Sequence, residues 1–191
     1  MEFVQPIKDL GKIAAIKEIL RATPIYGLRN EALFITGINT ALRVSDLIAL
    51  TIGDILDNQG GFRDAVMLKE RKTDKNKEFP LNSSVKKALR AYLDTRGELI
   101  AAAPLFASQR NKPLSRVRVW QILNDAAQKI GLEHIGTHTL RKTFGYHTFQ
   151  KSNGNIALVQ KLLNHSSSAD TLRYIGIAQE ELNAAYLELN L

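Results

Sequence analysis

The 191-residue sequence contains no cysteine, which excludes disulfides, thiol nucleophiles and cysteine-ligated zinc. No apolar run approaches the ~20 residues that a membrane-spanning helix needs. The opening MEFVQPIKDL lacks the basic-then-apolar pattern of a secretory signal, so a cytoplasmic location is expected and no membrane partner. The four histidines show neither HxH nor HExxH spacing, and no carboxylates cluster as in a two-metal site; no metal is expected. There is no GxxxxGKS/T loop and no GxGxxG turn, so no nucleotide cofactor is expected either. Internal repeats and low-complexity segments are absent, as are the aromatic-rich strand motifs of RNA-binding sheets.

What the chain does have is positive charge. Lys and Arg number 26 against 19 Asp and Glu, a net of +7, which suits a polyanionic partner because each neutralised phosphate releases counterions. The charge is segregated. Residues 69–77 (KERKTDKNK) hold five basic side chains, and 110–118 (RNKPLSRVR) hold four with no acid. From Gln179 onward the chain carries Glu180, Glu181 and Glu188 and no Lys or Arg. One face is therefore expected to meet a polyanion while the tail goes elsewhere. The apolar content of 45% and the length fit one well-buried domain.

Periodicity predicts a mainly α-helical fold with a small three-stranded antiparallel sheet. Helical spacing runs over 9–22, stopped by Pro24, then over about 28–38, and a short helix from Arg43 turns Leu47 and Leu50 inward. Strands are expected at 52–57, 63–69 and 77–81, the first two joined by Asn58-Gln59-Gly60-Gly61. Helices follow at 84–96, capped by Asn82 or Ser83; at 116–130, capped by Ser115; at 138–151, capped by Thr137; and at 156–163, capped by Asn155. A final amphipathic helix over 179–189 aligns Leu182, Tyr186 and Leu189.

Four places bear chemistry. Arg43, in TGINTALRVSDLIAL, is either a surface arginine paired with Asp46 at i+3 or a planar fork for a phosphate. His138 and Arg141 sit three residues apart and share a helical face, as a structural pair or as a donor and a cation for a phosphate oxygen. His165 and Tyr174 would lie ~13 Å apart on continuous helix, but the intervening Ser166–Ser168 and Asp170 run can fold the chain back. Tyr174 taken alone reads as a core aromatic, since an unactivated phenol is a weak nucleophile. Lys69, Lys72, Lys75 and Lys77 crowd one turn, where one lysine can protonate a leaving oxygen. His147 is assigned to packing and His134 to a loop without a role.

Taken in order, these segments resemble the tyrosine recombinase, or phage-type integrase, family, from about residue 8 to 176. TGINTALRVSDLIAL is similar to its first arginine box, with Arg43 at the arginine. RKTDKNKEFPLN resembles its lysine-bearing β-hairpin, best matched at Lys72-Thr73. HTLRKTFGYH resembles the His-x-x-Arg box, giving His138 and Arg141. LLNHSSSADTLRY resembles the closing box, with His165 nine residues before Tyr174. Two positions depart from the pattern: Lys142 stands where a second histidine is frequent, and Asn164 where glycine is.

The resemblance implies a catalytic domain over 1–176 and a tail helix over 177–191; family members usually carry a DNA-clamping helical domain ahead of the catalytic one, and none is expected in this sequence. It implies that Arg43, Arg141, His138 and His165 surround a scissile phosphate, that Tyr174 attacks it to form a 3′-phosphotyrosyl bond, and that Lys72 protonates the 5′ oxygen. No cofactor is implied. The implied partner is double-stranded DNA, contacted by Lys69, Arg71, Lys75 and Lys142 and, from the 116–130 helix in the major groove, by Arg116 and Arg118. The acidic tail would dock on a neighbouring subunit, giving a tetramer on DNA and a monomer when free. Alternatives are a resolvase or topoisomerase-like strand transferase, or a non-catalytic DNA-binding module on the same scaffold.

Overall fold

The computed structural model describes residues 4–72 and 74–177, together with Leu187 and Glu188. The chain order is α1 (Leu10–Arg21), α2 (Gly27–Thr40), α3 (Val44–Leu47), α4 (Ile52–Ile55), β1 (Val66–Lys69), β2 (Asn76–Phe79), α5 (Ser83–Leu93), α6 (Arg116–Gln128), α7 (Thr139–Lys151), α8 (Ile156–Leu162) and α9 (Ser168–Ile175). Most helices start where a side chain satisfies an orphan backbone N–H. Asp9, Asn82, Ser115 and Asn155 each cap the helix that follows. Thr137 does not cap α7; His138 occupies the cap position without a side-chain cap bond, and Thr139 Oγ1 instead accepts from Gly136 N at 3.0 Å.

α2 is the central element. It packs against α1, α5 and α7 and buries Leu33, Phe34 and Ile35 among its neighbours. Each such side chain contributes about 1.5–3 kcal/mol when fully removed from water. Gly37 permits the close approach to α7, since a Cβ there would lie 2.5 Å from Leu140 Cδ1. The principal core extends through α1, α2, α5, α6 and the short helices. A second, smaller cluster joins Ala41, Val159, Leu163 and Ile175, flanked by Phe144, Tyr146, Phe149, Ile156, Tyr174 and Ile177. The two meet where α2 ends.

The sheet has two strands among the described residues, not three. β1 and β2 pair antiparallel with Val66 opposite Phe79 and Lys69 opposite Asn76. The segment expected as a first strand is instead the single helical turn α4. Its apolar residues resemble a strand, but a capping box decides against one: Thr51 Oγ1 accepts from Asp54 N, and Thr51 N donates to Asp54 Oδ2 at 2.7 Å. Ile52 N and Gly53 N donate to Ala103 O and Ala101 O, so the start of this segment is already bonded elsewhere. The predicted turn survives as a single bridge, Leu56 to Phe62, closed around Gly60 at φ 79°.

After His165 the chain turns directly into a helix. The serine-rich run is short, because Ser167 Oγ accepts from Asp170 N and starts α9, which carries Tyr174. The predicted 179–189 tail helix lies outside the described residues apart from Leu187 and Glu188. Among the described residues no helix is long and apolar enough to cross a membrane, and no group of three His, Asp or Glu could hold a metal.

Candidate active site

Four segments converge: the end of α2 with the Arg43 turn, the β1–β2 hairpin, the start of α7, and the α8–α9 turn. Ala41 closes α2 at φ 55°, in the left-handed region. A residue with a Cβ spends on the order of 1 kcal/mol there, and the conformation leaves its carbonyl to accept from two cations. Arg141 Nη1 donates to Ala41 O at 2.6 Å, and Lys77 Nζ donates to the same oxygen at 3.3 Å. On the far side Arg141 Nη2 donates to Leu163 O, and Lys77 Nζ to Leu162 O at 3.2 Å. Two side chains from different elements thus tie the end of α2 to the end of α8.

Arg43 precedes α3 in extended conformation and reaches the hairpin rather than its own helix. Its Nη1 lies 2.8 Å from Glu70 Oε2, and Arg141 Nη1 lies 3.9 Å from Glu70 Oε1. The i+3 pairing of Arg43 with Asp46 is therefore not formed. Asp46 is buried and accepts from Arg71 N at 3.1 Å. Glu70 is fully buried, so the two guanidinium groups share a desolvated carboxylate. Against Glu70 and Asp46 stand Arg43, Arg141 and Lys77, an excess of positive charge in a region of low dielectric. Such an excess favours an incoming anion.

Tyr174 stands over this layer. Its Oη is 3.3 Å from His138 Nδ1. Its ring meets the His165 ring edge-on, with centroids 4.8 Å apart and planes at 85°. Lys142 Nζ lies 5.1 Å from the centre of the Tyr174 ring and donates to Val4 O at 2.7 Å, so this lysine is held against the tyrosine. The fold-back anticipated between His165 and Tyr174 is present, and Gly145 permits it. A Cβ at Gly145 would lie 2.7 Å from Ile175 Cγ2 and 3.1 Å from Leu163 Cδ1, so only glycine lets α9 and the end of α8 lie this close to α7.

His165 is oriented on three sides. Its Nδ1 is 3.2 Å from Thr171 Oγ1, its N–H donates to Gln160 O, and its carbonyl accepts from Gln160 Nε2. The preceding Asn164 sits at φ 51°. This explains the departure from glycine at that position, because asparagine is among the residues that best tolerate the left-handed region.

The surroundings shift these groups in ways that matter chemically. Burial holds both His138 and His165 below the ordinary imidazole value, and the nearby Arg141 adds to the effect in each. Both are therefore neutral at pH 7, and His138 can accept a proton. Burial raises Tyr174 above the usual phenol value, while Arg141 and Arg43 oppose that rise by stabilising a phenolate. Burial, reinforced by Arg141, brings Lys77 down to about 8.

The remaining candidates sit on the surface around this centre. Lys72 is exposed in the hairpin turn, near enough for its charge to lower His138 further. Lys69, Arg71 and Lys75 are exposed beside it, Lys69 pairing with Asp74 at 2.8 Å. Arg116 and Arg118 are exposed in the first turn of α6, with Arg118 Nη1 donating to Gln121 Oε1. His147 packs with Nε2 2.9 Å from Ile7 O, and His134 is exposed in its loop. Sequence reasoning missed Glu70 and left Lys77 unassigned among the hairpin lysines. The available signal was strand alternation, which puts Lys77 on the same face as the buried Phe79.

Comparison with known proteins gives matches along nearly the whole chain. The model of the Phage integrase family matches residues 13–181. A probable integrase/recombinase of Bacillus subtilis, YoeC, is 42% identical over 187 residues, covering 97% of both chains. The tyrosine recombinase XerC of Pelobacter propionicus is 34% identical over 93% of this chain but only 57% of its own, so the chain spans little more than half of that relative. Among solved structures, the XerH site-specific recombinase bound to a palindromic difH substrate shares the fold, with a TM-score of 0.72 at 21% identity, over 96% of this chain and 53% of that one. The chain belongs to the phage integrase family and has the catalytic-domain fold of the tyrosine recombinases.

Proposed function

We propose that this chain breaks and rejoins DNA strands through a 3′-phosphotyrosyl intermediate, with Tyr174 as nucleophile. The observation that carries the reading is the placement of Tyr174 Oη 3.3 Å from a neutral His138 and within the field of the buried Arg141 and the half-buried Arg43, which share one carboxylate. In the forward step a bond forms between Tyr174 Oη and phosphorus as the bond from phosphorus to the 5′ oxygen breaks. The phenolic proton passes to His138 Nδ1, and Lys72 gives a proton to the departing 5′ oxygen. Arg43, Arg141 and His165 stabilise the charge that grows on the non-bridging oxygens. A 5′ hydroxyl from another strand reverses the step, so the phosphodiester energy is kept and no nucleotide is consumed.

Double-stranded DNA is the partner in this reading. Lys69, Arg71 and Lys75 from the hairpin, and Arg116 and Arg118 from α6, lie at the exposed basic segments and supply phosphate contacts. Lys142 acts beside Tyr174. Assembly as a tetramer on DNA, through the acidic tail, belongs to the same proposal, as does a monomer in the absence of DNA.

The test is covalent trapping. The chain is incubated with a library of nicked duplexes of randomised sequence, and protein–DNA adducts are recovered after denaturation and sequenced. The parent chain is expected to give adducts on a restricted set of sequences, while Tyr174→Phe gives none and folds as the parent does. Binding without adducts from the parent would favour a DNA-binding module on this scaffold.

A further inference from the structure

Lys77 on β2 is a strongly perturbed cation near the site that the proposed chemistry does not use. Lys77 faces inward from the strand, half-buried, opposite Leu68 in the sheet register. Its Nζ bridges the carbonyls of Ala41 and Leu162. The guanidinium of Arg141 bridges Ala41 and the next carbonyl along, that of Leu163. His165 follows three residues after Leu162, and Arg43 two residues after Ala41. The lysine bridge thus connects the backbone that carries Arg43 to the backbone that carries His165, without touching any group assigned to the reaction except through Arg141.

We infer that Lys77 is a positioning residue for strand cleavage, whose ammonium holds the ends of α2 and α8 at the spacing that aligns Arg43, Arg141 and His165 beneath Tyr174. This rests on the proposed function above. The bridge is strongest when Lys77 is protonated, since an ammonium offers three donors and full charge to two carbonyl dipoles. Arg141 on α7 and Arg43 before α3 disfavour the Lys77 charge, and Glu70 after β1 and Asp46 on α3 favour it, while α2 and α8 contribute the two carbonyls. Burial outweighs the acids, so the ammonium gives up its proton near pH 8. The geometry of the site therefore loosens above that pH. Tyr174, raised by its own burial, does not titrate in that range.

Three full-length chains decide the matter: the parent, Lys77→Arg and Lys77→Met. Single-turnover adduct formation is measured from pH 6.5 to 9.5 on a duplex recovered by trapping, with DNA affinity measured in parallel. The parent rate should fall above about pH 8 at up to tenfold per pH unit. Lys77→Arg, charged throughout, should move that fall upward by a unit or more, to about pH 9 or beyond. Lys77→Met should react on the order of 10²-fold more slowly, with no alkaline fall of its own and with affinity little changed. An alkaline fall in Lys77→Arg that coincides with the parent's would overturn the assignment, whether or not Lys77→Met folds.

A second measurement needs no DNA. In the free chain, the NMR ring signals of His165 should move with the titration of the Lys77 side chain and stay still in Lys77→Arg over the same range. Stationary His165 signals in the parent would overturn the assignment. Absence of adducts from the parent on every duplex would sink the proposed function instead, leaving the NMR result to decide the bridge.

Discussion

The two hydrophobic clusters differ in what they support. The principal core runs from Ile7 to Leu140 and locks α2, α5 and α6 through large, fully buried side chains such as Phe34 and Phe106. The smaller cluster has four buried members among the described residues, and on it rest α8, α9 and Tyr174. Arg43, Glu70 and Asp46 belong structurally to the first region, whereas His165 and Tyr174 belong to the second. Arg43, proposed to face the phosphate, is thus held by the larger core, and Tyr174, the proposed nucleophile, by the smaller cluster of the described residues. Local stability follows such burial, so α9 should open at lower free energy than α2. In the proposed reaction the contrast gives a site whose charge is fixed by the larger core and whose proposed nucleophile, Tyr174, rests on the smaller one.

The largest effect expected from breaking this arrangement is at the seam between the regions. Arg141→Ala removes both carbonyl ties and one of the arginines beside Glu70, leaving its pair with Arg43. Breaking a buried ion pair from one side costs about 3–5 kcal/mol, to be read from urea denaturation followed by circular dichroism, together with loss of adduct formation. A loss below about 1 kcal/mol would show that the carbonyl ties carry little.

A pair of glycine substitutions sharpens the comparison. Gly37→Ala forces a methyl group against Leu140 in the principal core, and Gly145→Ala forces one against Ile175 and Leu163 in the smaller cluster. Overpacking of this kind costs about 1–3 kcal/mol. The expected difference is one of kind: Gly37→Ala lowers global stability, while Gly145→Ala mainly speeds amide exchange in α9 and slows adduct formation. Equal loss of protection throughout the chain in both variants would show that the clusters unfold as one.

A smaller effect follows from pH. His138 and His165 are both held below 6.5 in the folded chain, so the unfolded chain binds these protons first as pH falls. Their contribution to stability is complete above about 6.5 and is lost as pH drops below it, until the folded imidazoles are protonated as well. The melting temperature should therefore decline between pH 7 and 5, and less so in the double variant His138→Gln, His165→Gln. An undiminished decline in that variant would assign it to carboxylates. The smallest effect is expected at Asn164→Gly, which relieves the left-handed position and should change stability by less than about 1 kcal/mol in the favourable direction. A clear loss would show that the asparagine side chain itself holds the turn before His165.

Much of this was legible in the residues. Asn82, Ser115 and Asn155 announced their helices because a cap is a local event, settled within four residues by one side chain and one N–H. The segment at 52–57 was not legible, because its apolar residues suit a strand as well as a helical turn, and the Thr51–Asp54 box together with the 101–103 carbonyls decided between them. Arg43 shows the same limit. Its local partner, Asp46, was three residues away, but its actual partner, Glu70, lies on another element and could be found only once the hairpin had folded over α3.

The sequence by itself determined the helical character, the basic segments, and the order of arginine, lysine, histidine and tyrosine that places the chain in its family. These depend on residue identity and short spacing, which the chain carries unfolded. The tertiary structure alone decided that Tyr174 lies against His138 and His165, that two arginines share the buried Glu70, and that Lys77 bridges Ala41 to Leu162. Those contacts join residues from 9 to 85 positions apart, and the packing of α2, α7 and α9, with its close approaches at Gly37 and Gly145, brings them together.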